Sequence, residues 1–184
     1  MYNERKASQV AVWFLREAGG RMSHLKLMKL MYLAERESLG RYGFPLTEDA
    51  LVSMPHGPVL SQTLNHIDGD VESGEDGWDA WVSAKADHEV EAIERPPAVA
   101  ELDELSNADL TVLADVWGQF GGLDKYAIRD YSHKLPEWDN PHGSSKPIAL
   151  QRVFQAFGYG DADIASAVAG IAEQKNVDQV FRGR

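Results

Sequence analysis

The chain has 184 residues, of which 43% are hydrophobic and 26% charged, a composition typical of a globular protein and not of a disordered or fibrous one. Its 18 lysine and arginine residues against 29 aspartate and glutamate residues leave a net charge of −11 at pH 7. Such a field repels nucleic acid, so direct DNA or RNA binding is not expected. The chain has no cysteine, which excludes disulfides, thiolate nucleophiles and cysteine-ligated zinc.

The first residues carry charges where a secretory signal peptide needs an apolar stretch. No apolar run approaches the roughly 20 residues that a membrane span requires. We therefore expect a cytoplasmic protein with no membrane partner. The length predicts one domain over residues 1–184.

Apolar spacing predicts two helices at the start of the chain. The first has its apolar face between Ala7 and Ala18, and the second begins at Ser23 and ends at Gly40. Apolar residues surround the second helix on nearly all sides, which predicts that it packs against several neighbours. Four of its side chains are expected in the core: Leu27, Leu30, Met31 and Leu33. Lys26 and Lys29 are expected to extend their ammonium groups to solvent.

The stretch from residue 41 to 59 contains three prolines and two glycines, which predicts an irregular connection with a short extended piece at residues 50–52. Pro58 is predicted in the first turn of a short third helix that ends at Asp68. An acidic turn follows. The segments WDAWVSA and HEVEAI, rich in aromatic and β-branched residues, then predict a small β-hairpin.

Helices also dominate the prediction for the second half. Ser106 and Asp109 resemble a capping box that begins a long helix, and a shorter helix precedes His133. A proline-rich loop separates these from C-terminal helices over residues 145–184, the first of which is predicted to start at Ser145 and Pro147. The prediction is a mainly α fold of about six or seven helices with at most a small β-hairpin.

Two histidines stand out among the residues that can carry chemistry. His56 and His133 each lie beside prolines at a predicted junction between helix and loop, where a rigid scaffold can bring side chains together. With Asp49 or Glu137 they form the basis of one hypothesis, a metal-dependent hydrolase. The chain has no metal-binding motif, phosphate-binding loop or nucleophile motif. No catalytic residue, cofactor or metal ligand is therefore predicted.

The same loops are candidates for protein recognition. Trp138 lies in the second proline-rich loop, and an exposed tryptophan is a frequent anchor of protein interfaces. The predicted partner-binding residues are His56, Gly57, Pro58, His133 and Trp138. The alternative is that Gly57 and Pro58 only begin the third helix and that Trp138 fills the core.

Several segments together resemble a known family, the Panacea or SocA-like antitoxin domain. They occur in family order: KLMKLMYLA at residues 26–34, FPLTED at 44–49, GPV at 57–59 and SHKLPEW at 132–138. The resemblance is strongest over residues 6–138. It implies an antitoxin of a bacterial or phage toxin–antitoxin system, whose partner is a cognate protein toxin encoded beside it.

The resemblance implies two mechanisms. The antitoxin either binds the toxin directly, which is the hypothesis favoured here, or acts as an adaptor that delivers it to an ATP-dependent protease. The net charge of −11 suits a basic toxin, because opposite charge speeds encounter. A factor that contacts or imitates DNA is a further alternative, and the charge opposes contact but not imitation.

Overall fold

Helices account for 54% of the chain in a computed structural model that describes residues 1–93 and 98–182, which confirms the predicted mainly α class. The helices are α1 (Glu4–Glu17), α2 (His24–Tyr42), α3 (Ser61–Asp68), α4 (Trp78–Trp81), α5 (Asn107–Phe120), α6 (Lys125–Ser132), α7 (Leu150–Ala156) and α8 (Asp161–Arg182). None of these described helices is both long and apolar enough to cross a membrane. Residues 183 and 184, part of the predicted C-terminal helices, lie outside the described residues.

Five short strands form two small sheets, so the β structure is more extensive than the single small hairpin that the sequence predicts. The strands are β1 (Arg21–Ser23), β2 (Leu51–Met54), β3 (Gly57–Leu60), β4 (Glu89–Glu91) and β5 (Lys146–Pro147). β1 pairs with β4, and β2 lies between β3 and β5, all antiparallel. In the predicted hairpin, the segment WDAW forms α4 instead of a strand, whereas HEVEAI contains β4. The reason is the burial of Trp78, which is 1% exposed. The helical turn directs this side chain into the core, and its burial stabilises the turn.

Helix α2 lies at the centre of the fold, as its apolar surface predicts. Helices α1, α5, α6 and α7 all pack against it. Its predicted core residues are confirmed: Leu27, Leu30, Met31 and Leu33 are all buried. The predicted end at Gly40 is wrong, because the helix continues to Tyr42 and the left-handed residue that ends it is Gly43, with a φ of 74°. Gly40 serves packing instead, since a Cβ there would overlap the ring of Phe157.

Two prolines lie in strands where helix starts were predicted. Pro58 belongs to β3, and Pro147 belongs to β5, so both predicted helix starts are wrong. α3 begins instead at Ser61, and α7 begins at Leu150. Both strands are edges of the sheet, where a residue without an N–H group does not interrupt the hydrogen-bond ladder.

A carboxylate of α2 holds the loop that follows this helix. Glu35 is 1% exposed and accepts hydrogen bonds from the Leu46 N–H at 3.1 Å, the Thr47 N–H at 2.8 Å and the Thr47 hydroxyl at 2.8 Å. Burial raises the pKa of Glu35 to about 7, although these hydrogen bonds oppose the rise. The resemblance motif FPLT is therefore tied to the core through backbone groups.

Asp49 of the same loop caps α3 from a distance. Its carboxylate accepts hydrogen bonds from the N–H groups of Gln62 and Thr63, both at 2.8 Å, and from the Thr63 hydroxyl. Leu60, which precedes α3, has no side chain that can cap. The carboxylate also lies at the positive end of the helix dipole, where negative charge is stabilising.

We expect Glu35→Ala to lower the free energy of unfolding by about 2–4 kcal/mol, because it leaves two buried N–H groups without an acceptor. Urea denaturation at pH 8, above the Glu35 pKa of about 7, measures the change. Glu37→Ala is the matched control on the same helix, since Glu37 is half-buried and pairs with Arg41 at the surface, so its loss is expected to cost less than about 1 kcal/mol. Equal losses for the two variants would refute the anchoring role of Glu35.

Candidate functional site

Two loops that are far apart in sequence meet beside α2. The turn between β2 and β3 carries His56, and the loop after α6 carries Trp138. The Trp138 indole N–H donates to the Met54 carbonyl at 3.2 Å, and the imidazole of His133 stacks on the Trp138 ring with 4.4 Å between centroids. The structure thus brings the predicted residues into one cluster. We call the surface formed by His56, His133 and Trp138 the loop site.

The predicted residues differ in their exposure. His56 is exposed at the tip of its turn, while His133 and Trp138 are half-buried, so each of these three presents some surface. Trp138 is therefore less exposed than the sequence hypothesis assumed. Gly57 and Pro58 are buried, which places them beneath the surface, where they can shape the turn.

Gly57 is required by its backbone and by its neighbours. Its φ of 92° lies in the left-handed region, which side chains with a Cβ rarely adopt. A Cβ there would also overlap the Ser132 hydroxyl and lie 3.2 Å from the Lys29 ammonium nitrogen and 3.3 Å from the His133 ring. This close approach lets the hairpin turn pack directly on α2 and on the end of α6.

The prediction that Lys29 reaches solvent is wrong. Lys29 is 0% exposed, and its Nζ donates to the Pro58 carbonyl at 2.7 Å. Burial lowers the pKa of Lys29 to about 7. Lys26 is half-buried and donates to the Gly121 carbonyl at 2.6 Å. The physical reason is that α2 is surrounded by packed elements, so the buried ammonium group of Lys29 needs a carbonyl acceptor in place of water.

The imidazole of His133 lies in surroundings that disfavour its protonated form. Burial, followed by the positive charges of Lys29 and Arg129, lowers the pKa of this ring. Its Nε2 atom is buried and has no hydrogen-bond partner among the described residues. The imidazole and indole rings, stacked at 4.4 Å between centroids, present a flat contact area at the surface.

The charges around the loop site differ in sign from those of the whole chain. Asp139 follows Trp138 and accepts hydrogen bonds from Arg152 at 2.5 Å and from Lys146 at 2.9 Å. These two hydrogen bonds lower the pKa of Asp139 to about 2. Lys134 is exposed and has no ion-pair partner in the part of the chain that the structure describes. The surroundings of the loop site are thus locally basic in a chain of net charge −11.

The carboxylates invoked by the hydrolase hypothesis are engaged elsewhere. Asp49 caps α3, and the buried Glu137 accepts from Arg36 Nε at 2.5 Å and from the Tyr32 hydroxyl at 3.2 Å. Within residues 1–93 and 98–182, no group of three or more histidine and carboxylate side chains is placed to hold a metal ion. The structure therefore offers no support for a metal centre at His56 and His133.

The sequence model of the family described as antitoxin SocA-like, Panacea domain, matches residues 27–139. This match covers more than half of the chain. The chain belongs to this antitoxin family. All five residues predicted for partner binding lie within the match, whereas α1 and α8 of this Panacea-family chain lie outside it. Neither the curated proteins nor the solved structures contain a significant match.

Sequence reasoning missed the two polar residues beneath the loop site of this Panacea-family chain. They are Lys29 and Ser132, both 0% exposed. A signal for Lys29 was present, because a charged residue on a helix with no polar face must either be buried with a partner or break the packing. No local signal identifies Ser132, whose hydroxyl donates to the Arg129 carbonyl one turn earlier and meets Gly57 only through the fold.

We expect the free energy of unfolding to rise by about 1–3 kcal/mol between pH 7.5 and 9.5. In this window the unfolded chain keeps the proton of Lys29, whose ordinary pKa is 10.5, while the folded chain, with a pKa of about 7, has released it. The stability that this lowered pKa contributes is complete above 10.5, the pKa in the unfolded chain. It is lost as the pH falls from that value through the folded-state pKa of about 7. Urea denaturation over this range measures the rise.

Lys29→Met is expected to flatten that rise, since it removes the titrating group and keeps most of the side-chain volume. Lys134→Met, at an exposed position, is the control and is expected to keep the pH dependence of the wild type. A slope that is unchanged in Lys29→Met would show that another group titrates in this window.

Proposed function

We propose that this chain neutralises a cognate protein toxin by direct binding and that the loop site contacts the toxin. Membership of the antitoxin SocA-like family supports a toxin partner. The observation that carries the proposed mechanism is the convergence of His56, His133 and Trp138 on one surface, where the His133 and Trp138 rings stack with 4.4 Å between centroids. Tryptophan is among the residues that contribute most to binding energy at protein interfaces.

The rigidity of the two loops supports direct binding. The indole of Trp138 donates a hydrogen bond to the Met54 carbonyl of β2, and the backbone N–H of Asp139 donates to the Ser53 hydroxyl at 3.2 Å. The Pro58 carbonyl accepts a hydrogen bond from Lys29. A surface ordered before the partner arrives loses less conformational entropy on binding. A stable interface needs about 800 Å² on each partner, so the contact must extend beyond the loop site to neighbouring residues such as Lys134.

Delivery to a protease remains the second mechanism implied by the family. It requires a separate element that docks on the protease, for which a flexible tail is the usual device. The described residues 175–182 continue helix α8 instead.

Growth of bacteria that express the neighbouring open reading frame, with and without this chain, tests the proposed function. Growth arrest that this chain relieves supports an antitoxin. Relief that persists in a host without the ATP-dependent proteases, together with co-elution of the two proteins in a size-exclusion column, supports direct binding. If relief is lost in that host while the toxin remains bound, the adaptor mechanism is correct.

We expect His56→Glu to weaken toxin binding by about tenfold or more, because it places a new charge at the tip of the loop site without disturbing the core. Isothermal titration calorimetry of the purified pair measures the affinity. Ala114→Glu adds the same charge at an exposed position of α5 and is expected to bind like the wild type. Equal affinities for both variants would exclude the His56 turn from the interface.

A further inference from the structure

A phenylalanine on a rigid loop is exposed at the C-terminal end of α2. Phe44 is 53% exposed, and Tyr42 beside it is 44% exposed. The loop cannot easily turn Phe44 inward: Gly43 ends the helix in the left-handed conformation, the Phe44 carbonyl accepts from the Ser38 hydroxyl at 2.9 Å, and Pro45 follows directly. Tyr42 and Phe44, on either side of Gly43, thus leave two large aromatic side chains in solvent at one end of α2.

Phe44 stands between two depressions that together form a groove. One, of about 300 Å³, is lined by Phe44, Pro45, Glu48, Ile171 and Gln174. The other, of about 400 Å³, is lined by Tyr42, Gly43, Phe44, Tyr159, Asp163, Ser166, Ala167 and Gly170. We call this feature the α2–α8 groove. Its first wall is the loop after α2, and its second wall is helix α8.

Helix α8 is shaped to admit a close neighbour. It packs mainly against α7 and buries Ile164 and Ile171, while the residues it turns toward the groove include Ser166, Ala167 and Gly170. Small side chains allow the backbone of another helix to approach closely. The aromatic wall lies within the residues matched by the family, whereas α8 lies outside them. The groove therefore depends on an element that the family match does not include.

The charges that line the groove are negative. Its charged lining residues are Glu48 and Asp163, and its described lining includes no lysine, arginine or histidine. The amino group of Met1 pairs with Glu48, so the free charge at the rim is that of Asp163, which has no ion-pair partner among the described residues. The net charge of −11 adds a long-range field of the same sign.

We propose that the α2–α8 groove binds an amphipathic helix of a partner protein, with apolar side chains on the face that meets Phe44 and lysine or arginine on its flanks. The two depressions on either side of Phe44 receive successive apolar side chains from one helix face, at the i and i+3 or i+4 spacing of such ligands. The flanking cations meet the acidic rim. This surface is separate from the loop site, and the proposal does not depend on the identity of the toxin.

Fluorescence anisotropy with a labelled, amidated peptide tests the proposal. The peptide is about 18 residues of leucine and lysine, with leucine at the helical spacing of one face. A second peptide replaces every lysine by glutamate, and a third has the composition of the first with the spacing scrambled. We expect the wild-type chain to bind only the first peptide, with an affinity that falls as the salt concentration rises from about 50 to about 500 mM.

Variants of both walls distinguish the groove from general attraction to an acidic surface. Phe44→Ala removes the aromatic ridge, and Ser166→Trp fills the groove from α8 without altering Phe44. We expect each to weaken binding of the leucine–lysine peptide by about tenfold or more. Tyr126→Ala, at a tyrosine that is 55% exposed on α6, is the matched control and is expected to bind like the wild type. Circular dichroism confirms that each variant is folded.

Four results would overturn the proposal. The first is that the wild type does not bind the leucine–lysine peptide, and the second is that Phe44→Ala and Ser166→Trp bind this peptide as tightly as the wild type does. The third is that the wild type binds the glutamate peptide as tightly as the leucine–lysine peptide. The fourth is that the wild type self-associates in sedimentation and that Phe44→Ala abolishes this association. The last result would assign the groove to a second copy of this chain. None of these assays uses the toxin, so failure of the groove proposal and failure of the antitoxin proposal remain distinguishable.

Discussion

The loops of this protein depend on polar side chains along one helix, α2, of which Lys29 and Glu35 are buried and Lys26 and Arg36 are half-buried. Four of them reach four different segments: Lys26 to Gly121, Lys29 to Pro58, Glu35 to Leu46 and Thr47, and Arg36 to Glu137. Burial of a polar or charged group is costly unless hydrogen bonds replace those to water, and here each of the four groups has an acceptor or donor in a loop or in strand β3. Because these side chains must find hydrogen-bond partners, the contacts that they make also fix the positions of the loops.

This arrangement explains how a chain with many irregular connections presents ordered surfaces. The hairpin turn that carries His56 rests on Lys29, Ser132 and His133 through the close approach of Gly57. The loop that carries Phe44 is fixed by Ser38 and by Glu35. In a low-dielectric interior these hydrogen bonds are strong, and removing one partner leaves the other buried without compensation.

The electrostatic field of the whole chain does not describe each of its surfaces. The net charge of −11 predicts attraction to a basic partner, and the α2–α8 groove agrees with that sign. The loop site differs, since Lys134, Lys146 and Arg152 lie around it, and Asp139 accepts hydrogen bonds from both Lys146 and Arg152. Screening over about 10 Å at ordinary salt makes the local charges decisive once two proteins are in contact. A partner that uses both surfaces would need charges of both signs.

Sequence by itself determined the existence of the longer helices, the mainly α class, the core residues of α2, the capping box at Ser106 and the family, because apolar periodicity, caps and motifs are local properties of the chain. Only the tertiary structure decided that Pro58 and Pro147 lie in edge strands and that Trp138 is half-buried. It also decided that Lys29 turns inward. The hydrogen-bond partners of these residues are distant in sequence. Lys29 donates to a carbonyl 29 residues away, and Trp138 donates to a carbonyl 84 residues away. Only folding brings such groups within hydrogen-bond distance, so no local pattern can specify them.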